Sequence, residues 1–189
     1  MTVSYEAIRL CCNKFGPKYA QRLRRKHQGY GDTLFIDEVF VKIQRQRHYL
    51  WRAEDQDGEV ADVFLQKRRD EKAAKHFFKG LLNKHKGKPR KIVTDKLRSY
   101  AVAHSELVSK AIHNTSKYAD NRCELSHEPA RMRERGMRKL KSMSQAQRFL
   151  GAHAAVYNLF NLGRHLVSAE NYRYFRLSAF ASWESAAAI

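Results

Sequence analysis

The sequence predicts an α/β domain in which a mixed five-stranded sheet is flanked by helices, preceded by a helical segment at the N-terminus. Between residues 33 and 66, short apolar and β-branched runs are separated by turn signals, which indicates three antiparallel strands. From residue 70 onward, helical periodicity alternates with short apolar runs, and this pattern adds two further strands. With 189 residues, of which 43% are hydrophobic, the chain is long enough for one packed domain.

Residues 1–30 are predicted to form a basic helical segment and a linker. Ser4 is placed to cap a helix that ends near Lys14, and Gly16-Pro17 separates it from a second helix that runs to about Lys26. The last turn of the second helix is strongly basic, and its arginines are Arg22, Arg24 and Arg25.

The three antiparallel strands follow directly. The first is Thr33–Ile43, the second is Arg47–Ala53, and the third is Val60–Leu65. Asp57-Gly58 is a hairpin turn signal between the second and third strands, so these segments predict a meander.

The second half of the chain is predicted to alternate helices with short strands. A helix over 70–86 has Asp70 near its start, and Gly87-Lys-Pro89 stops it. The remaining elements are a buried strand at Lys91–Thr94, a helix at 99–108, a weak strand at 108–113, a basic helix at 122–141 and a helix at 144–166. This order of elements is that of a ribonuclease H-like domain, in which the first and fourth strands lie side by side.

The charge of the chain indicates a polyanionic partner. There are 37 lysines and arginines against 19 acidic residues, for a formal net charge of +18. Such an excess predicts binding to DNA or RNA, and less readily to an anionic membrane. Three cysteines without ligand-type spacing favour a reduced cytoplasm and argue against disulfides and a zinc site.

Three acidic residues stand out against this basic background. Asp37 lies inside an apolar strand, Asp95 ends another, and Glu124 begins the basic helical segment. A carboxylate within an apolar strand is costly unless a cation compensates it, and carboxylates suit Mg²⁺ or Mn²⁺. Two such metals catalyse phosphodiester cleavage and joining. Two alternatives stay open on the residues alone: both aspartates are solvated at strand ends, or Glu128 replaces Glu124.

The basic helical segment is a candidate phosphate-binding surface. Glu124, Glu128 and Arg131 share one helix face, since they lie at positions i, i+4 and i+7. For the basic run from Arg131 onward, a helix face that is simply exposed to solvent is an equally good interpretation as a phosphate-binding surface. The bases of this run include Arg131, Arg133, Arg135, Arg138 and Lys139.

Several segments, in order, resemble the bacterial DDE transposases of the insertion-sequence-six group. They cover nearly the whole chain and are Gly31-Asp-Thr-Leu-Phe-Ile-Asp-Glu-Val-Phe-Val-Lys42, Arg47-His-Tyr-Leu-Trp-Arg-Ala-Glu-Asp-Gln-Asp-Gly58, Ile92-Val-Thr-Asp-Lys-Leu-Arg-Ser-Tyr100, Asn121-Arg-Cys-Glu-Leu-Ser-His-Glu-Pro129, Arg131-Met-Arg-Glu-Arg-Gly-Met-Arg138 and Ser144-Gln-Ala-Gln-Arg-Phe-Leu150.

The resemblance implies a metal-dependent transposase with a ribonuclease H-like core. The implied catalytic and metal-binding residues are Asp37, Asp95 and Glu124, with two Mg²⁺ or Mn²⁺ ions per site. The resemblance thus favours Glu124 over Glu128 as the third acidic residue. The implied reaction cleaves the 3′ ends of an insertion sequence and joins them to target DNA, within a homodimer or larger synaptic assembly. The expected DNA contacts are Arg131, Lys96, Arg98, Arg133, Arg135, Arg138, Lys139, Arg22, Arg24 and Arg25.

The domain scheme that follows has three parts. Residues 1–30 are a partial helix-turn-helix and basic linker, 31–170 the catalytic domain, and 171–189 a C-terminal tail. The start at Met1 resembles the second half of the family's N-terminal DNA-binding motif, so a truncated copy with weak binding to terminal repeats is expected. The chain departs from the family pattern at Asp120 and Leu125.

Three other functions compete with a working transposase. A catalytically impaired DNA-binding remnant that modulates an intact copy would fit the short N-terminus. A ribonuclease H-type hydrolase of RNA in a hybrid fits less well, since a fourth acid is missing. A structural RNA binder would explain the charge but not the strand aspartates. A bacterial cytoplasmic protein, nucleoid-associated when bound to DNA, is expected.

Overall fold

The computed structural model describes residues 3–27, 29–85, 89–95, 98–116, 140–163 and 166–188. Residue contacts divide the chain into two compact units, one formed by 1–28 with 148–189 and the other by 29–147. Within the described part, no helix combines the length and the apolar character needed to cross a membrane.

The 29–147 unit contains one mixed sheet of five strands among its described residues. The strands are β1 (Thr33–Ile43), β2 (Gln46–Asp55), β3 (Val60–Gln66), β4 (Lys91–Thr94) and β5 (Ile112–Asn114). Their order across the sheet is β3-β2-β1-β4-β5. The first three form an antiparallel meander, whereas β4 runs parallel to β1 and β5 runs parallel to β4. The predicted adjacency of the first and fourth strands is therefore confirmed.

In the part of this unit that the structure describes, the helices α2 (Glu71–Lys84) and α3 (Arg98–Leu107) close the hydrophobic core of the sheet. Asp70 caps α2, because its carboxylate accepts a hydrogen bond from the backbone N–H of Ala73 at 2.9 Å. The core joins apolar residues of the strands to both helices, with Trp51, Phe77, Phe78 and Tyr100 among its fully buried side chains.

The free edge of the sheet is occupied by a glutamine side chain. Among the described strands, β3 lies at one edge of the sheet, so none of them pairs with its outward N–H and C=O groups. The Gln147 amide supplies both partners: its Oε1 accepts from the Leu65 N–H at 2.8 Å, and its Nε2 donates to the Val63 carbonyl at 2.9 Å. Gln147 belongs to helix α4, which spans Met143–Phe160.

The other unit is helical. Helix α1 spans Tyr5–Lys26 and α5 spans Ala169–Ala187, and both contribute to one small core with the second half of α4. The buried members of that core are Ala20, Leu23, Ala155 and Ala186.

Some predicted boundaries differ from the observed ones. The predicted break at Gly16-Pro17 is wrong, since α1 is one continuous helix with Pro17 inside it. A Cβ on Gly16 would lie 4.0 Å from the Ala152 side chain, so this stretch packs on α4. The segment 171–189, predicted as a tail, lies largely in α5. Helix α4 ends at Phe160, short of the predicted 166, and most of the helix predicted over 122–141 lies outside the described residues.

Candidate active site

The two strand aspartates occupy equivalent positions on neighbouring strands. The parallel register of β1 and β4 ends with Ile36 opposite Thr94; Asp37 is the next residue of β1, and Asp95 directly follows β4. Both aspartates are half-buried. Each is therefore presented at the same place in the sheet, where β4 ends and β1 continues.

A third carboxylate, Glu38, lies close to both aspartates. Its side chain is only 3% exposed, accepts a hydrogen bond from the Tyr100 hydroxyl and forms an ion pair with Arg69. The same Arg69 guanidinium reaches Asp95, with Nη2 to Oδ2 at 3.4 Å. One arginine thus connects the carboxylate of β1 with the carboxylate at the end of β4.

The pKa of Glu38 is shifted by its burial and by the charged groups around it. The pKa of Glu38 is raised to about 7, chiefly by burial and also by the charges of Asp95 and Asp37. The Tyr100 hydrogen bond and the Arg69 charge oppose that rise in pKa. Burial, followed by the Glu38 charge, holds the pKa of the Tyr100 phenol well above its ordinary value.

A buried ion pair faces Asp37 on the neighbouring strand. Arg52 is directly opposite Asp37 in the antiparallel register of β1 and β2. Its guanidinium is buried and pairs with the Glu54 carboxylate, two residues along on the same face of β2. Directly opposed residues share a face of the sheet, so Asp37 has a buried cation as its cross-strand neighbour.

The backbone at Asp95 is held by a small polar network. The Thr94 hydroxyl donates to the Asp95 carbonyl at 2.8 Å and lies 2.9 Å from Nε2 of His113. His113 stacks on His104 with ring centroids 4.5 Å apart. Burial lowers the pKa of both imidazoles, which favours their neutral forms.

The described carboxylates have the chemistry of a divalent-cation site. Asp37 and Asp95 offer hard oxygen ligands, which Mg²⁺ and Mn²⁺ prefer, and a nearby cation would relieve their repulsion with Glu38. Among the described residues, no group of three or more histidine, cysteine or acidic side chains is arranged to hold a metal ion. The predicted third ligand, Glu124, lies outside the described residues.

The predicted DNA contacts are only partly covered by the structure. Lys96 and the basic run Arg131, Arg133, Arg135, Arg138 and Lys139 lie outside the described residues, and Arg98 is described by its backbone alone, at the start of α3. In α1, Arg22 Nη1 donates to the carbonyls of Ala186 and Ala188 at 2.9 and 2.7 Å. Arg24 Nη2 donates to the Gly151 carbonyl at 2.7 Å, whereas Arg25 is exposed.

Sequence reasoning missed two residues beside the candidate site. Arg69 lies between β3 and α2 in the run Lys67-Arg-Arg69, where nothing in the local pattern links it to a carboxylate. Tyr100 belongs to one of the resembling segments, but its contact with Glu38 arises from the packing of α3.

Comparison with known proteins identifies the family. A family model described as a DDE domain matches residues 31–162. The transposase of the insertion sequence-like element IS431mec from Staphylococcus aureus is 31% identical over 170 residues, which cover 87% of this chain and 74% of that protein. The chain belongs to the insertion-sequence-six family of DDE transposases. The transposase of the insertion sequence element IS257 in transposon Tn4003, also from S. aureus, matches the present chain with the same identity and coverage.

Solved structures share the fold of this DDE transposase. The catalytic domain of Mos1 transposase, solved with raltegravir and Mg, is 12% identical with a TM-score of 0.51, covering 98% of this chain and 96% of that one. A chain of the simian T-cell lymphotropic virus intasome, in complex with PP2A regulatory subunit B56 gamma, is 16% identical with a TM-score of 0.51, covering 77% of this chain. The match spans about half, 53%, of that intasome chain. The predicted ribonuclease H-like fold is confirmed.

Proposed function

We propose that this DDE transposase cleaves DNA at the ends of an insertion sequence and joins the freed 3′-hydroxyl groups to target DNA. The observation that carries the proposal is the parallel register of β1 and β4, which sets Asp37 and Asp95 side by side in a chain of this family. Asp37, Asp95 and Glu124 would hold two Mg²⁺ or Mn²⁺ ions. When bound, these ions would activate the attacking water in cleavage or the 3′-hydroxyl in joining, and stabilise the leaving oxygen.

The surrounding residues keep the carboxylates in place for this chemistry. Arg69 balances the charge of Glu38 and Asp95, and Thr94 holds the backbone carbonyl of Asp95. The Tyr100 hydroxyl holds the Glu38 carboxylate, and Asp37 and Asp95 are both half-buried beside it.

Double-stranded DNA is the substrate and partner that we propose. The net charge of +18 favours a polyanion, and the relatives are named as transposases of insertion sequences. Since two element ends must be held together for joining, a homodimer or larger synaptic assembly is part of the proposal. Lys96, Arg98, the basic residues from Arg131 to Lys139, and Arg25 are the proposed DNA contacts, with Arg22 and Arg24 as further positions.

Cleavage of supercoiled DNA carrying candidate element ends tests the proposal. We expect nicking or joining with Mg²⁺ or Mn²⁺, none with EDTA, and loss of activity in Asp95→Asn. Asp32→Asn is the matched control, because it makes the same chemical change at an exposed aspartate on the same unit. Equal activity of Asp95→Asn and the wild type would overturn the site. A wild-type protein that binds DNA without metal-dependent cleavage would instead be a non-enzymatic DNA binder.

A further inference from the structure

The hairpin between β1 and β2 ends in an unusual turn. Ile43 pairs with Gln46, so Gln44 and Arg45 are the two turn residues, and their φ angles are +51° and +66°. Two-residue hairpins with positive φ at both positions favour Asn and Gly, because a Cβ is crowded in this conformation. Two long polar side chains are therefore held at the tip of the hairpin in a strained conformation, which is a feature that recurs at functional sites.

One face of the same hairpin concentrates positive charge. Lys42 lies directly opposite Arg47, and both are exposed, as is Arg45 in the turn. Directly opposed like charges destabilise an antiparallel pair, and residues 39–50 contain no acidic side chain that would relieve the repulsion. An external polyanion is the partner that would turn this unfavourable pairing into a favourable one.

An exposed aromatic ring orients one of these cations. Phe40 is 62% exposed, and the Arg47 guanidinium lies over its ring at 4.7 Å from the centroid. Phe40 and Lys42 are two residues apart on β1 and so share a face with Arg47. The stacking restricts the arginine side chain before any partner binds, which lowers the entropic cost of a later phosphate contact.

The charged face lies on the same strand as the candidate active site, on the side of the sheet that Glu38 occupies. Lys42 is five residues beyond Asp37 on β1, which corresponds to about 17 Å at the rise of an extended strand. This odd separation puts Lys42 and Asp37 on opposite faces of the sheet, whereas Glu38 shares the face of Lys42. The link to the candidate site is therefore Arg69, which pairs with Glu38 and also reaches Asp95.

We propose that the hairpin face formed by Phe40, Lys42, Arg45 and Arg47 binds the phosphate backbone of duplex DNA at the tip of the β1-β2 hairpin. The proposal rests on the proposed function, because it assigns part of the substrate of that site to this surface. Lysine and arginine side chains bind phosphates through charge and counterion release, without reading the sequence. The hairpin would thus strengthen binding equally for element ends and for target DNA.

Binding of a fluorescent 30-base-pair duplex to the full chain, measured by anisotropy at several salt concentrations, tests this surface. The test variant is Lys42→Gln with Arg47→Gln. The matched control is Lys72→Gln with Lys79→Gln, which removes the same charge from two exposed lysines seven residues apart on α2. We expect the hairpin variant to bind roughly tenfold or more weakly at 0.1 M salt, and its slope of log affinity against log salt to fall by roughly 1.8.

The control decides whether location or net charge is responsible. Equal losses in the hairpin and α2 variants would overturn the proposal, because net charge alone would then explain them. Tighter wild-type binding to single-stranded RNA than to the duplex, abolished by the hairpin variant, would also overturn it. Thermal unfolding should show unchanged or higher stability of the hairpin variant, since like charges are removed. Binding is read without cleavage, so an inactive wild type would refute the proposed function while leaving this surface to be judged separately.

Discussion

The Tyr100 hydroxyl donates a hydrogen bond to the Glu38 carboxylate, and this contact joins the buried core to the candidate active site. Tyr100 is fully buried beside Trp51 and Phe78, whereas Glu38 follows Asp37 directly on β1. The packing of α3 against the sheet therefore fixes the carboxylate that directly follows Asp37.

Asp95→Asn is expected to abolish stabilisation of the protein by Mg²⁺. A ligand that binds only the native state raises the unfolding temperature. At a free ligand concentration about 100 times its Kd, the free energy of unfolding rises by about 2.7 kcal/mol. The wild type should melt several degrees higher with Mg²⁺ than with EDTA, whereas the variant should melt at one temperature in both, as measured by differential scanning fluorimetry. Asp32→Asn should keep the wild-type shift. A Mg²⁺-dependent shift of full size in Asp95→Asn would remove Asp95 from the ligand set.

Glu38→Gln is expected to flatten the pH dependence of folding. The pKa of Glu38 is about 7 in the native state against an ordinary value of 4.5, so between these values the native state binds the additional proton. The stability contributed by this proton is fully present below about pH 4.5 and is lost as pH rises through 7. Urea unfolding at pH 5 and pH 8 in EDTA should show a loss on the order of 2–3 kcal/mol in the wild type that is absent from the variant.

The matched control for this pH experiment is Glu71→Gln. Glu71 is an exposed carboxylate in the first turn of α2. Its removal should leave the wild-type pH profile in place. Parallel profiles for the wild type and Glu38→Gln would show that Glu38 titrates as an ordinary carboxylate.

Arg69→Gln is expected to raise the pKa of Glu38 further. The Arg69 charge lowers that pKa in the native protein, and its removal leaves a buried carboxylate without its ion-pair partner. The variant should therefore lose stability above neutral pH and match the wild type near pH 4.5, with the midpoint of the loss moved upward. Arg69→Lys should restore part of the wild-type profile. A uniform loss at all pH values would contradict the electrostatic role.

Gln147→Ala is expected to destabilise the sheet unit. The variant loses two hydrogen bonds to β3 and leaves the Leu65 N–H and the Val63 carbonyl without their partners, at a cost of about 1–3 kcal/mol. Chemical unfolding measures the loss, and hydrogen exchange should locate it at Leu65. Ser144→Ala, at an exposed position of α4, should have a much smaller effect. Unchanged exchange at Leu65 would show that the edge is protected by other means.

Local patterns were sufficient for the strands that carry the aspartates. The predicted limits of β1 and β4 agree with the observed Thr33–Ile43 and Lys91–Thr94, and Asp70 caps α2 as expected. These features depend on residues close together in the chain: apolar runs, turn residues and a capping side chain. The order of elements then sufficed to predict that β1 and β4 are neighbours, since few topologies accommodate that order.

What the sequence by itself determined is the element order, the ribonuclease H-like fold and the candidate carboxylates, because each is encoded in short-range periodicity, composition or family motifs. Only the tertiary structure decided that Arg69 connects Glu38 with Asp95, that Gln147 pairs with the edge of β3, and that α1 continues through Pro17. These features join residues separated by 26 to 84 positions, or rest on packing around Gly16. Contacts of that kind have no local pattern, since their free energy depends on which surfaces the folded chain brings together.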